Sequence, residues 1–259
     1  MAFLIRAMEG APLSGFALNY LGRLIACVLG YAFLAIAANL MIWWASQRAQ
    51  EPVRYRWQQI MTTLAQYHIA EILRLVYYVG LPYVALYLGF VNLRDMGLAR
   101  SDWIAGIGWA VVVGILGYML LALMARLLRR LSENGRRRFT RLAVLDQPWG
   151  WAFLLRESIY LEVSWAFCRS PFVFAFGDYY GAYAGFVFVL LVALVDPGLR
   201  TLLRAVGCRE EYLLLGSLGF LTATAYALTH NLWLCLALHF AIEVTLWWMV
   251  RPLHVARSQ

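Results

Sequence analysis

Long apolar runs separated by short polar segments set the layout of this chain. The runs fall at 24–44, 67–91, 103–124, 149–174, 181–195, 212–228 and 232–250. Helical runs of roughly 17–25 apolar residues match the hydrocarbon thickness of a bilayer. In lipid only helices or closed barrels satisfy the backbone polar groups. The pattern predicts an all-α fold: a polytopic membrane helical bundle of about seven transmembrane helices, forming one integral-membrane domain over 1–259.

The polar intervals predict the joints. The segment 47–66, with Arg48, Arg54 and Arg56, reads as an interfacial helix, and Pro82 interrupts the second run. Pro171 predicts an end or a kink in the fourth run, because proline removes a helical hydrogen bond. Gly177-Asp178-Tyr179-Tyr180 reads as a turn, Asp196-Pro197-Gly198 as a stop, and Thr229-His230-Asn231 as a tight connection.

Composition strengthens the membrane reading. The chain is 63% hydrophobic and 14% charged, against about 45–50% and about 25% for soluble domains. All 22 basic residues are arginine, so a retinal Schiff base on lysine is excluded. The net charge of +8 reflects topology rather than nucleic-acid binding, because the arginines sit mostly between apolar runs. With the arginine-rich segment 126–141 in the cytoplasm, alternation puts fifteen arginines on that side and four on the other. This predicts the N-terminus out and the C-terminus in, in a bacterial cytoplasmic membrane. The expected partners are the lipid bilayer and other membrane-protein subunits, with no nucleic acid. The N-terminal 15 residues lack the order of a cleaved signal peptide. Cys27, Cys168, Cys208 and Cys235 show no CxxC spacing and read as packing residues.

Candidate chemistry concentrates in two runs. The stretch 153–169 is apolar yet carries Arg156, Glu157, Glu162 and Arg169. A charge at mid-bilayer costs roughly 2.5–3.5 kcal/mol, so such groups face a protein interior. Glu162, Trp165 and Arg169 share one helical face. In the last run, His239 and Glu243 are four apart and also share a face. Glu162, His239 and Glu243 together are a candidate site for a divalent metal such as zinc. Without a metal, Glu162 is a candidate general base. The alternative is a structural polar cluster bridging helices. His68, Glu71 and Arg74, spaced three apart, predict a salt-bridged helix end. His68, His230 and His254 are candidate axial ligands of a haem or chlorophyll-type pigment.

The run TATAYALTHNLWLCLALHFAIE resembles the last motif segment of the CPBP intramembrane proteases, the CAAX prenyl endopeptidase and bacteriocin-processing group also called Abi. There a helix leads into a T-x-N-L-W turn and then a helix with H-x-x-x-N. Here the turn is Thr229 to Trp233, the histidine is His239, and Glu243 stands at the asparagine position. RDMGL, followed by Asp102-Trp103, also resembles the family's approach to its core. The likeness covers about 67–248. It implies an intramembrane endopeptidase in which Glu162 activates water, His239 binds metal or stabilises an oxyanion, and Arg169 holds a carboxylate. The family's E-E-x-x-x-R is altered here: Glu162 precedes Arg169 by seven, and Glu157 precedes Glu162 by five. The adjacent pair Glu210-Glu211 has no arginine four residues later, and the fifth run has no histidine for the second motif, F-x-x-x-H. Two further readings therefore stand beside the protease. One is a catalytically inactive scaffold or accessory subunit of a larger membrane complex, associated with a pigment or quinone through its abundant aromatics. The other is a transporter using the buried charges as an ion path.

Overall fold

The computed structural model describes residues 15–47, 51–99, 102–131, 144–204 and 209–250. Among these there is no strand. In chain order the elements are α1 (Gly15–Gln47), α2 (Glu51–Gln66), α3 (Ile69–Leu75), a π-helical turn (Val76–Gly80), α4 (Leu81–Tyr87), α5 (Trp103–Leu131), a 3-10 turn (Val144–Asp146), α6 (Gly150–Val195), α7 (Pro197–Arg204), α8 (Arg209–Thr229) and α9 (Leu232–Val250). Among the described residues, five helical stretches are long and apolar enough to cross a membrane: Ala17–Ser46, Ile69–Tyr87, Trp103–Met124, Gly150–Val195 and Glu211–Thr229. Leu232–Trp248 is apolar but shorter. Large apolar side chains on the outer faces are exposed, among them Ile104 at 89% and Phe33 at 70%. The chain is a membrane-embedded protein whose outer surface contacts lipid. The arginine-rich segment lies largely outside the described residues, as do Cys208, His254 and the chain ends; Cys27, Cys168 and Cys235 are free thiols.

The predicted fourth and fifth runs belong to one 46-residue helical element, α6, broken at Gly177, where φ is 78° and ψ is 171°. Glycine alone takes that conformation without steric cost. The break folds α6 back on itself. A methyl group added at Gly181 would run into the Val173 backbone, and one at Gly185 into the backbone of Arg169. Those pairs are symmetric about Gly177, so α6 is a helical hairpin whose arms, 150–176 and 178–195, approach at van der Waals distance.

Pro171 does not end the first arm; the helix runs through it. The carbonyl that its missing N–H would have met is that of Phe167. Ser170 supplies a substitute donor, its Oγ lying 2.7 Å from Phe167 O. Pro82 behaves differently. It sits in the first turn of α4, where the lost N–H is tolerated, and a π-helical turn precedes it. The extra residue in that turn directs Tyr77 onto Tyr31 (ring centroids 4.3 Å apart) and Tyr78 onto Tyr160 (5.5 Å). Tyr31 in turn donates a 3.0 Å hydrogen bond to Ser164. Aromatic contacts thus tie α1, the π turn and α6 together.

Helix ends gather at two levels. At one level Tyr20 of α1 donates to Asp95 (3.2 Å), Tyr226 of α8 donates to the Asp95 carbonyl (3.2 Å), and Leu232 N–H of α9 donates to Gly97 O (2.9 Å). At the other, Asn39 of α1 donates to Asp196 before α7 (2.7 Å), and Trp247 of α9 donates to Asp146 before α6 (3.1 Å). Between these levels, two apolar clusters fill the interior. One joins α5, α6, α8 and α9 around Tyr226, Ala225 and Cys235; the other joins α1, the 81–98 region and α6 around Leu24 and Phe167.

Candidate functional site

The site begins with a cap. Asn231, wholly buried, precedes α9 and accepts hydrogen bonds from the N–H groups of Trp233 (2.9 Å) and Leu234 (3.3 Å). An N-cap asparagine satisfies two of the orphan donors of a helix start. His230 before it takes a left-handed conformation, φ 50°, and Thr229 Oγ1 accepts from the Asn231 N–H. The Thr-His-Asn-Leu-Trp run is thus the turn that reverses the chain between α8 and α9. Gly97 of the RDMGL loop braces it. Its φ is 77°, its carbonyl holds Leu232 N–H, and a Cβ there would meet Tyr226.

This start fixes the rotation of α9. His239 and Glu243 face the first arm of α6, and His239 is 0% exposed. His239 Nδ1 lies 2.8 Å from Glu162 Oε1, and Nε2 faces Glu243 Oε2 at 3.5 Å. Ser158, one turn before Glu162, has its hydroxyl 2.9 Å from Leu154 O and 3.2 Å from Glu243 Oε2. The Trp165 ring lies over His239 with centroids 5.7 Å apart. All three titratable groups are buried, and the remaining Glu162 oxygen, Oε2, has no hydrogen-bond partner. The expected meeting of Glu162 with His239 and Glu243 of a second helix is therefore present.

Their arrangement differs from a metal centre. The two carboxylates sit at opposite nitrogens of one imidazole, so the ring stands between the groups that would have to meet on an ion. Among the described residues no group of three or more His, Cys, Asp or Glu is placed to hold a metal. The donor set of Glu162, His239 and Glu243 does not fit zinc in this geometry, which requires lone pairs directed at one point.

Arg169 also departs from its expected place. Among the described residues its guanidinium meets no carboxylate; Cζ lies 3.5 Å from the ring centroid of Tyr226. The reason is helical rise: seven residues separate it from Glu162, about 10 Å along the axis. Arg156 and Glu157 turn instead toward α3. Arg156 meets Glu71 at 2.8 Å and Glu157 at 3.1 Å, while Arg74 meets Glu157 at 2.5 Å and Glu71 at 3.7 Å. The predicted salt-bridged end of Glu71 and Arg74 is thus half of a four-charge ring; His68 is exposed and takes no part in it.

Sequence reasoning missed Ser158 and Tyr226. Ser158 was visible as the residue four before Glu162 on its face. Tyr226 carried no signal, because an aromatic in an apolar run reads as core. No family model, curated protein or solved structure matches this chain.

Proposed function

We propose that this chain is a divergent intramembrane protease of the CPBP type, with Glu162 and His239 as its acid–base pair. The observation that carries the reading is the 2.8 Å contact between Glu162 and His239 Nδ1, buried between two helices. A carboxylate accepting Nδ1–H leaves the Nε2 lone pair as the general base. On this reading α6 and α9 part to admit substrate and water, and Nε2 then takes a proton from the water as its oxygen attacks a peptide carbonyl. His239 then returns that proton to the departing amine as the C–N bond breaks, leaving a carboxylic acid and an amine. Glu162 stabilises the transient imidazolium. Glu243, beside the Ser158 hydroxyl, faces the same nitrogen. No metal enters this scheme. The same reading takes the two arms of α6 and the shorter α9 as separate crossings, for seven in all, with the N-terminus out and the C-terminus in, in a bacterial cytoplasmic membrane. The alternating levels of the helix ends and the arginine bias support it.

Glu162→Gln keeps the shape and removes the carboxylate. It should lower cleavage of a membrane-embedded substrate by roughly 10²–10⁴-fold while leaving the fold intact. Undiminished cleavage would refute the assignment.

A second reading has its own support. An apolar groove of about 290 Å³ lies between α1 and the α6 hairpin, lined by Leu21, Ile25, Leu29, Phe172, Phe176 and Phe188 among others. Such a surface suits an accessory subunit that holds a quinone or pigment within a larger complex. Co-purification from native membranes at fixed stoichiometry with other subunits, with Glu162→Gln silent, would favour it.

A further inference from the structure

One stretch of the lipid-facing surface is hollow. The groove of about 290 Å³ has Leu21, Ile25 and Leu29 of α1 on one side and Phe172, Phe176 and Phe188 of the α6 hairpin on the other. The three α1 residues follow at intervals of four, so they form one stripe along the helix. Ile25 and Leu29 at the lip are exposed, while Ala175 in the same lining is buried. No lining residue has a polar side chain.

The helices set its depth. Leu21 follows Tyr20, which bonds Asp95 at one level of helix ends. Phe176 precedes the break at Gly177, and Asp178 after it lies 3.8 Å from His230 in the turn at that same level. From Leu21 to Leu29 is eight residues, about 12 Å along the axis. One leaflet of hydrocarbon is about 15 Å deep, half of the roughly 30 Å core. The groove starts where helices end and runs inward for most of one leaflet.

We propose that this groove holds one acyl chain of a membrane phospholipid, retained as a fixed partner of the fold. Lipid covers the exposed apolar surface on either side of it. Left empty, the slot would forfeit dispersion contacts along both walls. Water has the room, since one molecule needs only about 10–15 Å³, but it finds no polar partner there. A flexible chain entering from the headgroup level matches the depth and the lining. A quinone or pigment ring needs polar groups to orient it, so the cofactor of the second reading would place only its tail here. No residue of the acid–base pair lines the groove, and its occupancy is read without a cleavage assay, so its failure leaves the protease assignment untouched.

The test is native mass spectrometry of the delipidated full chain in a sterol-based detergent, which brings no free alkyl chain, titrated with palmitoyl-oleoyl phosphatidylethanolamine. A single lipid should bind per chain, saturably. Ala175→Phe fills the groove and should raise the half-saturating concentration roughly 10-fold, the loss of about two methylene contacts. Ala175→Leu, a smaller wedge, should raise it roughly 3-fold. Absence of a saturable single lipid on the unmodified chain overturns the proposal. So does binding undiminished in Ala175→Phe or, should that variant fail to fold, in Ala175→Leu. Binding of one ubiquinone-10 per chain that the phospholipid does not displace also overturns it, in favour of the second reading.

Discussion

Two groups of ionisable side chains lie about one and a half turns apart on the first arm of α6, and they are built on opposite principles. The ring of Glu71, Arg74, Arg156 and Glu157 contains two acids and two bases. Each charge meets an opposite one, and the side chains are 26–41% exposed. The centre of Glu162, His239 and Glu243 contains two acids and one imidazole, with side chains 0–5% exposed. The ring is complete without a mobile proton. The centre is not: its charge depends on where protons sit among three buried groups. Pairing and exposure mark the ring as a structural joint between α3 and α6. Imbalance and burial mark the centre as a candidate for chemistry.

The comparison can be broken most sharply at His239. Replacing it with leucine removes the imidazole between two buried carboxylates and takes from Glu162 its hydrogen-bond partner, which should cost about 3–5 kcal/mol of stability. Thermal or chemical unfolding in micelles reads this directly, and a loss under about 1 kcal/mol would place the centre with the ring.

Arg156→Gln probes the other side of the contrast. Glu157 keeps Arg74 at 2.5 Å and Glu71 keeps it at 3.7 Å, so no acid is left alone. The expected loss is about 1 kcal/mol or less, as for exposed pairs. Salt should sharpen the difference further. Near 1 M the screening length falls to about 3 Å, so the Arg156→Gln deficit should shrink while the His239→Leu deficit persists.

The smallest effect concerns a buried acid outside both groups. Burial holds the Asp95 carboxyl above its ordinary value, against the hydrogen bond from Tyr20, which lowers it. The folded chain therefore keeps this proton to higher pH than the unfolded chain does. Stability falls as pH rises from the ordinary carboxylate range through the raised value, and is level above it. Asp95→Asn should remove that slope and leave the unfolding behaviour of the ring and the centre unchanged, which denaturant titrations from about pH 3 to about pH 7 would record.

What could be read without coordinates follows from periodicity. The apolar runs gave the helices, because lipid permits no other way to satisfy a spanning backbone. Spacing of four put His239 and Glu243 on one face, and the cost of burying Glu162 demanded a partner from another helix. Local sequence also carried the Gly177 turn, since a positive φ there needs glycine. The effect of Pro171 was not legible in the same way, because Ser170 takes the carbonyl that proline leaves unmet.

Partner choice belonged to the tertiary structure alone. Sequence sets which face of a helix a charge lies on, but the height and rotation of neighbouring helices decide what it meets. The Asn231 cap and the Gly97 brace set the start of α9, and that start places an imidazole between two carboxylates instead of three ligands around an ion. The hairpin at Gly177 closes α6 so that Arg169 ends over Tyr226 rather than beside an acid. Both outcomes are matters of a few ångströms between elements far apart in the chain, a scale on which residue spacing carries no information.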